Sequence, residues 1–231
     1  DSERGAVVVP NPNLEAEYAV NLDLNVAKKL GENVKIDIAG YYTLLDNAMV
    51  RRDFTLNGAT EIMYDGELSR VQAIQNAANA KVYGFQAGIV VKLPSGFNFS
   101  TDLNFQKGEE ELDNGAKSTS RHAAPFFGIS RIGYRTSKLD MQINVQFSDA
   151  VAFKNLAEEE KGKTEIYATD SNGNPYAPSW YTLNLKTMYK LTDNFTITAG
   201  LENITDQRYR PYSSGIVSPG KNFIMALRAK F

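Results

Sequence analysis

Apolar and polar residues alternate with a period of two along most of this chain. Tyr18, Val20, Leu22, Leu24 and Val26 interleave with Ala19, Asn21, Asp23, Asn25 and Ala27. The pattern recurs from Val34 to Tyr42, Tyr83 to Leu93, Phe97 to Phe105, Leu139 to Phe147, Tyr181 to Tyr189, Phe195 to Leu201 and Phe223 to Phe231. A further segment, Phe126 to Tyr134, is diluted by Gly128, Ser130 and Gly133. Successive side chains of a strand face opposite sides of the sheet. Each segment therefore predicts a strand with one apolar and one polar face. A soluble sandwich buries the apolar face, whereas a membrane barrel turns it to lipid and keeps the polar face in its lumen. Alternation by itself leaves both open.

The connections separate them. Short ones, Leu30–Asn33, Pro94–Gly96, Thr136–Lys138 and Thr192–Asn194, carry the Gly, Pro, Asn and Asp of tight turns. Long ones, about Leu44–Ala80, Lys107–Ala124, Asp149–Ser179 and Asn203–Asn222, alternate strictly with them. Outer-membrane barrels sort short turns to the periplasmic end and long loops to the extracellular end. Counting back from a last strand that ends in the periplasm, the outward rows carry Tyr18, Tyr42, Tyr83, Phe105, Phe147, Tyr181 and Phe223 at the long-loop end. Phe97, Tyr134, Tyr189, Phe195 and Phe231 stand at the other. Two rings of aromatics match the two membrane–water boundaries.

Composition narrows the function. With 231 residues and a net charge of −2, the chain lacks the basic stripe of a nucleic-acid binder. The absence of cysteine excludes a disulfide framework, a thiolate zinc site and a cysteine nucleophile. His122 is the one histidine, so a multi-histidine metal site is impossible. No run of 18 apolar residues offers a transmembrane helix. Ala123 and Ala124 follow His122, and no adjacent serine pairs with it as a nucleophile would. The chain is therefore expected to be no enzyme and to carry no cofactor. Rival readings are an outer-membrane enzyme, a soluble β-rich binding module, and a small non-energised barrel with a structural or porin-like role.

Bacterial single-chain barrels have even strand counts, and nine strands leave an open sheet whose edges are costly in lipid. The chain ends on an outward aromatic, Phe231, and begins at Asp1–Gly5 with no cap. Residues 1–231 are thus expected to be the C-terminal part of a larger antiparallel transmembrane β-barrel.

Several motifs carry a family resemblance. Gly200-Leu201-Glu202-Asn203-Ile204-Thr205-Asp206-Gln207-Arg208-Tyr209-Arg210-Pro211-Tyr212, and the ending from Gly215 through Pro219-Gly220-Lys221-Asn222-Phe223 to Phe231, resemble the last strands and loop of TonB-dependent outer-membrane receptors. Asn11-Pro12-Asn13-Leu14-Glu15-Ala16-Glu17 resembles the family's Asn-Pro-Asn-Leu-x-x-Glu box. Tyr83-Gly84-Phe85-Gln86 resembles its Tyr-Gly-x-Glu strand start, with Gln86 in place of Glu. The resemblance implies a 22-stranded up-and-down barrel in the outer membrane of a Gram-negative bacterium, of which these are about the last nine strands. It implies an N-terminal plug and earlier strands outside this chain, and import of a ferric siderophore, haem or cobalamin driven through the TonB complex. Outer-membrane lipid, the plug, the barrel-assembly machinery and a small-molecule ligand are the implied partners. Phe223, Met225, Leu227, Ala229 and Phe231 resemble the barrel-assembly signal, with Ala226 where it usually has Gly.

The candidate ligand residues lie in the expected long loops. Arg51, Arg52 and Arg70, with Tyr64 and Tyr83 nearby, suit an anionic iron chelate, because Arg binds carboxylate or catecholate oxygens in bidentate fashion. His122 could ligate haem or titrate near neutral pH. A solvated loop is the simpler reading of each. Asp170-Ser171-Asn172-Gly173-Asn174 has the look of a calcium loop, but lacks the downstream Glu, so a turn is expected. The runs Glu109–Glu111 and Glu158–Glu160 are expected to be solvated. Lys35, Asp37, Asp102, Asp140, Lys186, Glu202, Arg228 and Lys230 form an expected lumen row, since such charges are costly in lipid.

Overall fold

The structure is a computed structural model and describes residues 5–111, 115–120 and 123–231. Its regular elements are fourteen strands and three single 3-10 turns among the described residues. The strands are β1 (Ala6–Val8), β2 (Tyr18–Leu30), β3 (Val34–Asp53), β4 (Glu61–Tyr64), β5 (Glu67–Lys92), β6 (Phe97–Glu111) and β7 (Lys117–Thr119). They continue as β8 (Phe127–Arg135), β9 (Leu139–Ser148), β10 (Ala168–Thr169), β11 (Pro175–Tyr176), β12 (Trp180–Lys190), β13 (Phe195–Glu202) and β14 (Asn222–Ala229).

Each of the nine alternating segments is a strand. Along one sheet the order is β2, β3, β5, β6, β8, β9, β12, β13, β14, so sequence neighbours are spatial neighbours. Along that path from β6 to β14 (β6–β8, β8–β9, β9–β12, β12–β13 and β13–β14) the pairings are antiparallel. The sheet is open, with β2 and β14 as its edges. β4 and β7 add antiparallel and local pairings to β5 and β6, while β1 runs parallel to β5.

Contacts divide the chain into two units. One holds residues 1–22, 42–82 and 109–118; the other holds residues 23–41, 83–108 and 119–231. The first has a small core of Val7, Val9, Val71 and Ala73, with Phe54 and Ile62 packed on it. Its β4–β5 hairpin turns at Asp65-Gly66, both left-handed (φ 52° and 82°). Two left-handed residues make the turn type that matches strand twist.

The second unit is inverted relative to a soluble protein. Its apolar rows lie open: Ile132 is 59% exposed, Phe223 62%, Met225 61% and Leu227 64%. Its buried residues include Asn104, Asn144, Ser148 and Thr182. The registers agree, because outward residues pair with outward ones (Leu185 with Ile143, Leu201 with Phe223) and polar with polar (Asn184 with Asn144, Thr182 with Gln146). Leaving such apolar side chains in water forfeits about 1.5–3 kcal/mol each. A sandwich core does not look like this; a lipid-facing wall does.

Two turns of this unit are built alike. Thr136 Oγ1 accepts the N–H of Leu139 at 3.0 Å, and Thr192 Oγ1 accepts the N–H of Phe195 at 3.1 Å. A threonine hydroxyl thus closes both hairpins, as ST-turns do. At Pro94–Gly96 the chain instead makes a 3-10 turn with Ser95 and Gly96 left-handed.

Three expectations need correction. The connection placed at Leu44–Ala80 is largely strand, because β3 continues to Asp53 and β5 begins at Glu67. Asn47, left-handed inside β3 (φ 56°), shifts the alternation as a bulge does and hides the continuation from a period-two reading. Likewise β6 reaches Glu111, and β7 lies in the connection that follows. Finally, Glu160 is not solvated. It is fully buried, accepting Lys163 Nζ at 2.6 Å and the Tyr167 hydroxyl at 2.5 Å.

Candidate functional site

The predicted ligand residues sit on strands rather than in an irregular loop. Arg51 and Arg52 are consecutive in β3, so they face opposite sides of the sheet and cannot form one cationic pair. Arg51 Nε donates to Gln72 Oε1 at 2.8 Å, and Gln72 donates on to Asp53 at 3.0 Å. Arg52 Nη2 donates to the carbonyl of Glu111 at 2.6 Å. Arg70 lies in β5 opposite Glu61 of β4, and Tyr64 ends β4 beside the turn, 47% exposed. All four belong to the first unit. His122 lies outside the described residues.

Four residues of the lumen row expected from sequence, Lys35, Asp37, Asp102 and Asp140, are in ion pairs in the second unit. Lys35 pairs with Asp37 at 2.8 Å, Arg131 with Asp102 at 2.5 Å, and Arg135 with Asp140 at 2.5 Å. Beside them, from β9 across β12, runs an uncharged ladder. Asn184 Nδ2 donates to Asn144 Oδ1 at 3.0 Å, and Asn184 Oδ1 accepts the N–H of Asn203 at 2.8 Å. A concavity of about 870 Å³ opens on this face, lined among others by Asp37, Gln86, Asn104, Gln146, Trp180 and Tyr212. A recess of about 530 Å³ beside it is lined by Gln142, Asn184, Lys186 and Tyr209. Gln106 of β6 accepts the Tyr41 hydroxyl at 2.9 Å, with Gly84 of β5 beneath the ring.

Sequence reasoning missed the loop cluster above these recesses. Trp180, the single tryptophan, stacks on Tyr209 with centroids 4.2 Å apart and planes 29° apart. With Arg208, Arg210, Tyr212 and Ser214 they line a cleft of about 260 Å³. The residues lining it include no carboxylate. The available signal was the run Arg208-Tyr209-Arg210-Pro211-Tyr212 with a lone Trp at a strand start.

Asn203 frames the loop that carries this run. It is 4% exposed and left-handed (φ 47°). Its Nδ2 donates to the carbonyls of Gln207 at 2.8 Å and Pro219 at 3.1 Å, and its Oδ1 accepts the N–H of Gln207 at 2.9 Å. Asp206 then accepts the N–H of Lys221 at 2.8 Å. Asn tolerates a left-handed backbone and caps its own turn, which explains an Asn at this place.

Asp170 is a turn residue, as expected. Its Oδ1 accepts the N–H of Asn174 at 2.9 Å and that of Asn172 at 2.8 Å, closing the β10–β11 hairpin. The Asn174 bond first, then the Asn172 bond, hold this carboxyl below the ordinary carboxylate range. Among the described residues, no cluster of three or more His, Cys, Asp or Glu side chains is placed to hold a metal ion.

A family model described as TonB dependent receptor-like, beta-barrel, matches residues 1–204. The chain belongs to the TonB-dependent receptor family. Relatives agree. An iron-regulated outer membrane virulence protein of Vibrio cholerae serotype O1 is 20% identical over 229 residues, covering 98% of this chain and 33% of the relative. Hemoglobin and hemoglobin-haptoglobin-binding protein A of Haemophilus influenzae is 26% identical over 220 residues, covering 90% and 19%. The solved siderophore receptor PirA of Acinetobacter baumannii superposes with a TM-score of 0.71 at 15% identity, covering 98% of this chain and 33% of its own. The chain thus spans a third or less of the relatives it matches. Members of the TonB-dependent receptor family are outer-membrane transport receptors of Gram-negative bacteria, not enzymes, and this chain is an all-β, mostly antiparallel portion of such a barrel.

Proposed function

We propose that residues 1–231 are the C-terminal part of a 22-stranded barrel, and that the whole receptor imports an iron chelate, haem or a cobalamin-class nutrient. Its plug and earlier strands lie outside this chain, and TonB supplies the energy through that missing part. The reading rests above all on the inverted second unit, whose apolar rows are open while Asn104, Asn144, Ser148 and Thr182 on the polar face are buried. Only lipid on one side and a polar filling on the other stabilise such a sheet. The open edges β2 and β14 call for further strands, which a larger barrel supplies. Exposed Arg51, Tyr64 and Arg70 are the ligand-facing set on the extracellular side, and Arg52 supports the frame; His122, outside the described residues, joins the set from the sequence reading alone. Phe223, Met225, Leu227, Ala229 and Phe231 form the outward row that the assembly machinery reads.

The test is uptake in a strain deleted for the full-length receptor, complemented or not, with and without TonB. The probes are 55Fe-labelled catecholate, hydroxamate and carboxylate chelates, haem and cyanocobalamin. Complementation should restore uptake of one probe, and loss of TonB should abolish it. Uptake that persists without TonB moves the chain to the non-energised barrel.

A further inference from the structure

The loops 149–179 and 203–222 are each an ordered body. In the first, Val151 and Ala177 exchange two backbone hydrogen bonds at 2.9 and 3.0 Å. Val151, Leu156 and Ala177 are buried together there, and Glu160 is sealed beneath with Lys163 and Tyr167. In the second, Asn203 and Asp206 fix both ends, and the N–H of Ser218 donates to Tyr209 at 2.9 Å.

Four contacts join them. Arg210 Nη1 donates to the carbonyl of Ile166 at 3.2 Å. Trp180, where the first loop runs into β12, stacks on Tyr209. Tyr212 packs against the buried cluster of the first loop. A Cβ added at Gly215 would lie 3.9 Å from Ile166 Cγ2. We propose that these two loops form a single prebuilt wall, clasped by Arg210, Tyr212 and the Trp180–Tyr209 stack, which moves as one body. Any closing around a ligand is then made by other loops against this wall. The functional consequence rests on the import reading above; the clasp itself does not.

Two ligand-free measurements on the full-length receptor judge the clasp. These 231 residues hold no cysteine, so in a receptor whose cysteines outside them are replaced by serine, Ile166→Cys with Gly215→Cys gives a clean cross-linking pair. The added Cβ lies 3.9 Å from Ile166 Cγ2, close enough for the two thiols to be joined directly or by a short bifunctional thiol reagent. One of these cross-links should form in the assembled receptor; failure of both, even with an oxidant, overturns the clasp. Separately, Arg210→Ala with Tyr212→Ala changes only the second loop. Trypsin should then cut at Lys161 and Lys163 of the first loop at least about tenfold faster. An unchanged rate there means that the loops are independent. Heat-modifiable migration checks that this variant assembles, and the cross-link decides where it does not. In uptake, the cross-linked receptor should transport within about twofold of the reduced form. A tenfold loss reversed by reductant shows that the two loops must part and refutes the single wall. Where no probe is transported at all, the import reading fails while the cross-link and proteolysis still decide the clasp.

Discussion

Replacing Gly84 with Ala tests how the strands of the second unit are braced. Tyr41 of β3 reaches over Gly84 of β5 to Gln106 of β6, donating its hydroxyl at 2.9 Å. A Cβ on residue 84 would lie 2.5 Å from Tyr41 Cζ and 2.7 Å from Cε1. These atoms belong to a rigid ring, so the ring must swing off its seat. Overpacking of this kind costs about 1–3 kcal/mol. Losing the bond to Gln106 adds about 0.5–1.5 kcal/mol. Alanine's less flexible unfolded chain returns about 0.4–1 kcal/mol. The net expectation is a destabilisation of about 2–3 kcal/mol. The assay is urea unfolding of the full-length receptor in detergent, followed by heat-modifiable migration and fluorescence. Tyr41→Phe should cost about 1 kcal/mol, the hydrogen bond alone. Tyr41→Ala with Gly84→Ala should be less damaging than the sum of the two singles by about 1–2 kcal/mol, since the clash is then removed. Additive singles, or a Gly84→Ala variant within about 0.5 kcal/mol of wild type, would falsify the bracing argument.

Other outcomes follow from the same geometry. Asn203→Ala removes a buried residue's bonds to Gln207 and Pro219; it should speed backbone exchange across 203–222 by about tenfold or more, at roughly 1–3 kcal/mol for the unmet groups. Asn203→Gly should recover only the left-handed backbone part of that loss. Asp170 titrates below its unfolded value, so its stabilisation of the β10–β11 hairpin is present above the unfolded pKa. It is lost as pH falls through the lower folded value. The amides of Asn172 and Asn174 should therefore lose protection only below the ordinary carboxylate range, and protection lost near neutral pH would contradict this. Arg131→Ala leaves Asp102, which is 60% exposed at its side chain, able to hydrate; stability should change by no more than about 1 kcal/mol. Deleting Phe231 should reduce the assembled receptor in outer-membrane fractions several-fold while synthesis is unchanged, as measured by surface proteolysis.

What was legible in the sequence was whatever depends on local alternation. Val34 to Tyr42 and Leu139 to Phe147 read as strands because a two-sided environment imposes a period of two on them. The Phe126–Tyr134 segment read poorly for a tertiary reason. A Cβ at Gly128 would meet Asp102 O at 2.7 Å and the Phe147 ring at 2.8 Å, so a glycine there answers neighbours on two other strands rather than its own pattern. The hidden length of β3 has a backbone cause, the left-handed Asn47. The pairing of Arg51 with Gln72 and the burial of Glu160 depend on partners brought in by folding, and no spacing rule reports them. The Trp180–Tyr209 stack joins residues from different connections, which periodicity cannot see.

The side-chain amide of Asn203 grips Gln207 on one side and Pro219 on the other. The residues between are therefore an insert held in a fixed frame. Such an insert can be rewritten without disturbing β13 or β14, because the frame and not the insert carries the strand ends. Yet Arg210 and Tyr212 reach out of it to the loop 149–179. A new insert is consequently constrained by its neighbour more than by its own strands, and the two loops should drift through sequence space as a matched pair.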